Sequence, residues 1–137
     1  MRLVKEIMTT EVLSLMPEQN LLDAEEMMRS HRVRHIPIVD SEGKLVGVLS
    51  QKEFLREAFR ITDKFGAQHL QDYLGKTTVS SCLSQSVATM VEDSPIKAAG
   101  EKLKAEKSGC LMITNEDGHL AGIVTSQDFI RLALSFL

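Results

Sequence analysis

Apolar residues recur at helical spacing in two separated places along this chain. Leu21, Ala24, Met27 and Met28 fall on one face of a helix predicted from about Leu21 to Ser30, and Ile96, Ala99 and Leu103 do the same from about Ile96 to Lys107. A short extended stretch precedes each helix, Val12 to Leu15 and Val87 to Met90, and a strand follows each, Ile36 to Val39 and Leu111 to Thr114. Next comes a turn, Asp40-Ser-Glu-Gly43 or Asn115-Glu-Asp-Gly118, whose glycine can take the positive φ of a tight hairpin. A second strand, Leu45 to Leu49 or Leu120 to Val124, leads into a last helix starting near Gln51 or Ser126. The predicted order is strand, helix, strand, strand, helix, and it occurs twice. Pro37 in Ile36-Pro-Ile-Val39 cannot donate to a ladder, so that strand is expected to start there or to lie at an edge.

The two units are in register without a gap. Gly43 and Gly118 lie 75 positions apart, as do Gly47 and Gly122, Val4 and Val79, Val12 and Val87, Ala24 and Ala99, Ile38 and Ile113, Phe54 and Phe129, and Arg56 and Arg131. Conservative pairs at the same offset include Ser50 with Thr125 and Glu53 with Asp128. Self-similarity of this kind marks a repeated folding unit. The expected organisation is a first repeat over residues 1–60, a helical linker over 61–75 and a second repeat over 76–137, within an α+β fold. Ile61, Phe65 and Tyr73 or Leu74 would be the linker's apolar contacts, with Gly66 its weak point.

Composition narrows the function. The chain has 137 residues, enough for one compact domain or two small halves sharing a core, and its 43% apolar and 26% charged shares are those of a globular protein. No apolar run approaches the length that spans a bilayer, and Met1-Arg-Leu-Val-Lys-Glu lacks a signal peptide's hydrophobic core, so a cytoplasmic location away from membranes is expected. A net charge of −3 with no basic cluster argues against nucleic acid as partner. Cys82 and Cys110 read as buried thiols, and the four histidines show no metal-ligand spacing. There is no Gly-x-Ser-x-Gly, no phosphate-cradling Gly-x-x-x-x-Gly-Lys loop and no metal cluster, so neither catalytic residues nor a cofactor are expected.

The stretch Gly122-Ile-Val-Thr-Ser-Gln-Asp128 carries the most chemistry. It is a strand running into a helix N-terminus, where free N–H groups and a positive dipole end suit an anion and the Asp128 carboxylate suits a diol. Thr-x-x-Asp also resembles a capping box, and capping does not exclude ligand binding. The segment Phe129 to Leu137 is apolar nearly all round, and Phe54, Leu55, Ala58 and Phe59 make a similar patch after the first repeat. Helices of that kind either pack the repeats together or join two subunits, and a homodimer through both is expected.

With Glu6-Ile-Met-Thr9 ahead of Val12, Val33-Arg-His-Ile-Pro-Ile-Val-Asp40, and the Gly-x-x-Ser/Thr-x-x-Glu/Asp endings at Gly47 and Gly122, the chain resembles a tandem pair of cystathionine β-synthase (CBS) domains, the arrangement called a Bateman module. The resemblance runs from Val4 to about Leu134. It implies two β-α-β-β-α repeats related by pseudo-two-fold symmetry, binding adenine nucleotides or related adenosyl ligands in clefts between the repeats, commonly as a disc-like dimer. Such pairs are most often fused to an enzyme, channel or transporter, and this one is expected to act in trans. Carried onto this sequence, the first cleft would join Thr125 and Asp128 to Thr9, Leu13, Val33, Arg34, His35, Ile36 and Pro37. Asp128 would accept ribose hydroxyls, Thr125 would donate to a phosphate, and Arg34 would supply a fork-shaped cation. His35 could add charge near neutral pH, and Leu13, Ile36, Pro37 and Ile123 would wall the adenine.

The second cleft departs from that pattern. The positions 75 beyond Arg34, His35 and Pro37 are Gly109, Cys110 and Met112, so the cations are gone, and Ser50 and Glu53 replace the threonine and aspartate. That cleft is expected to be empty, weak, or suited to an uncharged adenosyl group. The function expected is a non-enzymatic sensor for AMP, ADP or ATP. The alternatives are a structural dimerisation module with decayed sites, or a binder of an adenosyl ligand such as S-adenosylmethionine.

Overall fold

The computed structural model describes residues 2–84, 87–107 and 109–137. The chain folds into two compact units that do not follow chain order. One comprises Met1–Val12, Glu42–Leu45 and Ser86–Leu137, and the other Leu13–Ser41 and Val46–Gln85. The architecture is mixed α+β, with a repeat of the same kind at the heart of each unit.

In the first of these units, β3 (Thr89–Val91), α4 (Ile96–Ala105), β4 (Cys110–Thr114), β5 (Leu120–Thr125) and α5 (Ser126–Leu134) follow in order. The sheet runs β3-β4-β5, with β3 parallel and β5 antiparallel to β4. β4 is central, so Cys110, Leu111, Met112 and Ile113 are all buried, as expected for a strand covered on both faces. Leu111, Ile113 and Val124 pack with Ala99 of α4 and with Val4 and Ile7. Those last two come from the chain's first residues, which form a 3-10 turn over Val4–Glu6. The Val4 and Lys5 amides donate to the carbonyls of Ser94 and Glu92, and wholly buried Val4 repays the ordering of that segment.

Two glycines here are dictated by their surroundings. A Cβ on Gly122 would sit 2.7 Å from the Met8 sulfur and 2.8 Å from the Thr9 carbonyl oxygen, so only glycine lets the N-terminal segment lie against β5. Gly118 has φ +87, the left-handed value of the expected turn. Residues 42–45 join this unit through Leu45 donating to the Gly118 carbonyl and Leu120 donating to the Gly43 carbonyl.

In the other unit, α1 (Leu21–His31) starts at Asn20, whose side chain accepts from the Asp23 amide while Asp23 reaches back, and ends at Arg32 in the left-handed conformation. β1 (His35–Val39) and β2 (Leu45–Ser50) form a two-stranded sheet. Pro37 tolerates its place because, among the described residues, its side of β1 meets a single bridging residue, Leu15, which donates to the Pro37 carbonyl and accepts from Val39. α2 (Gln51–Phe65) opens on Ser50, whose hydroxyl accepts from the Glu53 amide, and stops at Gly66 with φ +92. A 3-10 turn over Ala67–His69 leads to α3 (Leu70–Lys76), and Phe65 stacks on Tyr73 with ring centroids 3.9 Å apart. The core gathers Leu21, Ala24, Ile36, Ile38, Leu49, Phe54, Ala58, Ile61, Leu74 and Val79, each large side chain contributing about 1.5–3 kcal/mol of burial.

Local expectations shift in places. The stretch Val12 to Leu15 makes one bridge, Leu15 to Ile38, and no strand, because a single pairing residue has no ladder to extend. β3 starts at Thr89, two residues into the expected stretch, and ends at Val91, one residue past Met90, and α4 stops at Ala105, short of Lys107. Phe54 and Ala58 are buried in the core, not on a surface patch; only Leu55 and Phe59 of that group are exposed.

Candidate functional site

Asp128 is the one buried charged residue among those described, 2% exposed, and three donors converge on its carboxylate. The Thr125 amide donates to Oδ2 at 2.8 Å. The Thr9 hydroxyl donates to Oδ1 at 3.0 Å, and the Arg131 guanidinium donates to the same oxygen. Thr125 is the N-cap of α5, its hydroxyl accepting from Gln127, so the capping box read from Thr-x-x-Asp is present. A carboxylate removed from water is costly unless paired and hydrogen-bonded, and here a helix N-terminus, a guanidinium and a hydroxyl all answer that cost.

Four of the predicted site residues thereby come together: Thr9, Ile123, Thr125 and Asp128. Thr9 and Ile123 exchange two backbone hydrogen bonds of 2.9 Å, which aim the Thr9 side chain at Asp128. Cys110 lies opposite Thr125 across the sheet. Burial, and then the Asp128 charge, push its thiol from the ordinary 9.0 up to about 12, so it stays protonated at neutral pH. Gly109 beside it is exposed, at φ +72.

Leu13, Val33, Arg34, His35, Ile36, Pro37, Ser50 and Glu53 belong to the other unit. Arg34 is exposed, and its carbonyl accepts from the Gln51 amide at the start of α2. His35 differs from expectation: burial, reinforced by the charge of Arg34, lowers its pKa below the ordinary 6.5, so it is a neutral imidazole at neutral pH, not an added charge. Ile36 is wholly buried in the core, which leaves its backbone but not its side chain for a ligand. Leu13 remains 43% exposed. Ser50 caps α2 by accepting from the Glu53 amide, and the Glu53 carboxylate pairs with Arg56 at 3.0 Å, but the Glu53 side chain is 20% exposed against 3% for Asp128. A surface hollow of this unit, lined by Glu25, Met28, Arg29, Gln51, Phe54 and Leu55, contains none of the expected site residues.

Sequence reasoning missed Arg131. It pairs with Asp128 and also donates to the Ile7 carbonyl at 3.3 Å, fastening α5 to the N-terminal segment. The signal was visible in the repeat, since Arg56 and Arg131 match at the same offset and each stands three residues after its acid. Among the described residues no three His, Cys, Asp or Glu side chains are grouped to hold a metal, and no helix is long and apolar enough to cross a membrane.

Residues 4–60 and 79–135 each match the CBS domain. The chain is 26% identical over 130 residues to L-aspartate semialdehyde sulfurtransferase of Methanocaldococcus jannaschii, a match covering 95% of this chain but 23% of that protein. The CBS domain pair of protein MJ0100, solved in complex with 5′-methylthioadenosine and S-adenosyl-L-methionine, superposes with a TM-score of 0.74 at 25% identity, over 99% of this chain and 98% of that one. CBSX2 in complex with AMP superposes with a TM-score of 0.82 at 24% identity, over 99% and 98%, a likeness of fold. With both repeats matched nearly end to end, the chain belongs to the CBS domain family, as a tandem pair.

Proposed function

We propose that this CBS pair is a regulatory module that binds an adenosine-bearing ligand, with Asp128 accepting the ribose hydroxyls. The observation that carries the reading is the Asp128 carboxylate itself. The matched acid Glu53 stays partly exposed and pairs only with Arg56, whereas Asp128 is held almost out of water, with the Arg131 guanidinium and the Thr9 hydroxyl on Oδ1 and the Thr125 amide on Oδ2. Carboxylate acceptors of that kind make strong hydrogen bonds to a diol. Thr125 at the α5 N-terminus offers a site for an anionic or polar group on the same ligand. On this reading Ile123 and Leu13 contribute apolar wall, Val33, Ile36 and Pro37 contribute backbone and packing, and Arg34 supplies the cation for phosphate. The positions that would repeat this chemistry, Ser50 and Glu53 with Gly109 and Cys110, bring no cation and are assigned weak or no phosphate binding.

A specific observation favours an uncharged or sulfonium ligand as the second reading: protein MJ0100 holds 5′-methylthioadenosine and S-adenosyl-L-methionine on this fold at 25% identity. Calorimetry separates the two. With AMP, ADP or ATP as the ligand, Arg34→Ala weakens binding about tenfold, as losing a charge-assisted contact should. With S-adenosylmethionine as the ligand, Arg34→Ala leaves affinity unchanged. The module turns nothing over on either reading, and ligand binding acts by favouring one arrangement of the protein over another. Two copies are proposed to associate through the exposed apolar faces of α2 and α5.

A further inference from the structure

Resting on that reading, we propose that the ligand's ribose reaches Asp128 by displacing the hydroxyl of Thr9, which occupies the acceptor in the free protein. A carboxylate offers about four acceptor positions on its two oxygens. Three are taken here, by the Thr125 amide, the Arg131 guanidinium and the Thr9 hydroxyl. With three of about four positions filled, a ribose cis-diol bringing two donors must displace one of the donors present.

The three differ in what leaving costs. The Thr125 amide is a helix-cap donor, and freeing it would orphan a backbone N–H at the start of α5. Arg131 carries the charge that balances a carboxylate almost shut off from water, and its guanidinium is shared with the Ile7 carbonyl. Thr9 is a neutral donor on an exposed residue, and its bond is the longest of the three. Its backbone is fixed to Ile123 at both N–H and C=O, so the hydroxyl leaves by a rotamer change at χ1 while the segment stays in place. The vacated position then accepts the second ribose hydroxyl. Thr9 acts as an internal competitor that sets affinity for ligands with both hydroxyls.

The test is titration calorimetry of wild type, Thr9→Val, Thr9→Ser and Asp128→Asn with AMP, 2′-deoxy-AMP and S-adenosylmethionine. Valine keeps the shape of threonine and removes the donor. Thr9→Val is expected to bind AMP or S-adenosylmethionine about tenfold tighter or more, the value of one hydrogen bond to a carboxylate no longer broken. It should bind 2′-deoxy-AMP as wild type does, because a single hydroxyl needs only the open position. Thr9→Ser keeps the donor and should match wild type throughout. Weaker or unchanged binding of the ribose ligands by Thr9→Val, or equal tightening for the deoxy ligand, overturns the displacement while leaving the sensor reading intact. If no ligand binds wild type, or Asp128→Asn binds as wild type does, the sensor reading falls and the displacement falls with it.

Discussion

At the residue scale the chemistry concentrates on one acid and its neighbours. Local pairing was legible in the sequence: Thr125 and Asp128 are three residues apart, and the cap follows from that spacing alone. The Thr9 contact was not, because it joins residues 119 positions apart and depends on a segment that sequence periodicity leaves blank. Cys110 was legible as a buried thiol, but the Asp128 charge acting on it was not. That environment makes a prediction about pH. The folded protein keeps the Cys110 proton up to about 12, whereas an unfolded thiol loses it near 9.0, so the stability this group contributes is intact below pH 9 and is lost as pH rises toward 12. In native protein at pH 8 a thiol reagent should label half-buried Cys82 first and reach Cys110 only on unfolding. Equal labelling rates for the two would contradict the burial assigned to Cys110.

At the scale of elements, the repeat made helices and strands readable because each carries its own periodicity. Leu21 and Ile96 begin their helices as expected, and Gly43 and Gly118 turn with φ +84 and +87. What the repeat concealed is that matched positions do unlike work. Gly47 and Gly122 are equivalent in sequence, yet the nearest atom a Cβ at Gly47 would meet is the tip of the Leu83 side chain at 2.8 Å, a flexible end that can move. At Gly122 it would meet the Thr9 carbonyl, a backbone atom tied into the bridge with Ile123. Gly122→Ala should therefore cost about 3 kcal/mol in denaturant unfolding, at the upper end of the usual overpacking scale, and Gly47→Ala about 1 kcal/mol at its lower end. Similar losses at both positions would show that the N-terminal segment is not held against β5 in solution.

For the whole molecule, length and the 75-residue offset fixed the number of repeats but not how the chain is shared between units. The first twelve residues lie with the second repeat, since Val4 and Ile7 fill its core, and no periodic pattern announces a 3-10 turn of three residues. The apolar character of the two closing helices was legible, and it remains on the surface: Phe59 is 69% exposed on α2, and Ile130 and Leu134 are 50% and 64% exposed on α5. A proposed dimer through these faces predicts twice the chain mass in sedimentation, reduced to a monomer by Phe59→Asp with Leu134→Asp, each charge being costly in an apolar interface. A monomeric wild type would contradict it.

The central claim is that Asp128 receives an adenosine ligand, and calorimetric titration of wild type and Asp128→Ala with AMP, ADP, ATP and S-adenosylmethionine tests it most directly. The account predicts binding of at least one of these by wild type and a loss of at least tenfold in Asp128→Ala, about 1.4 kcal/mol or more. Equal affinities for the two proteins, or no heat of binding with any of the four, would contradict it.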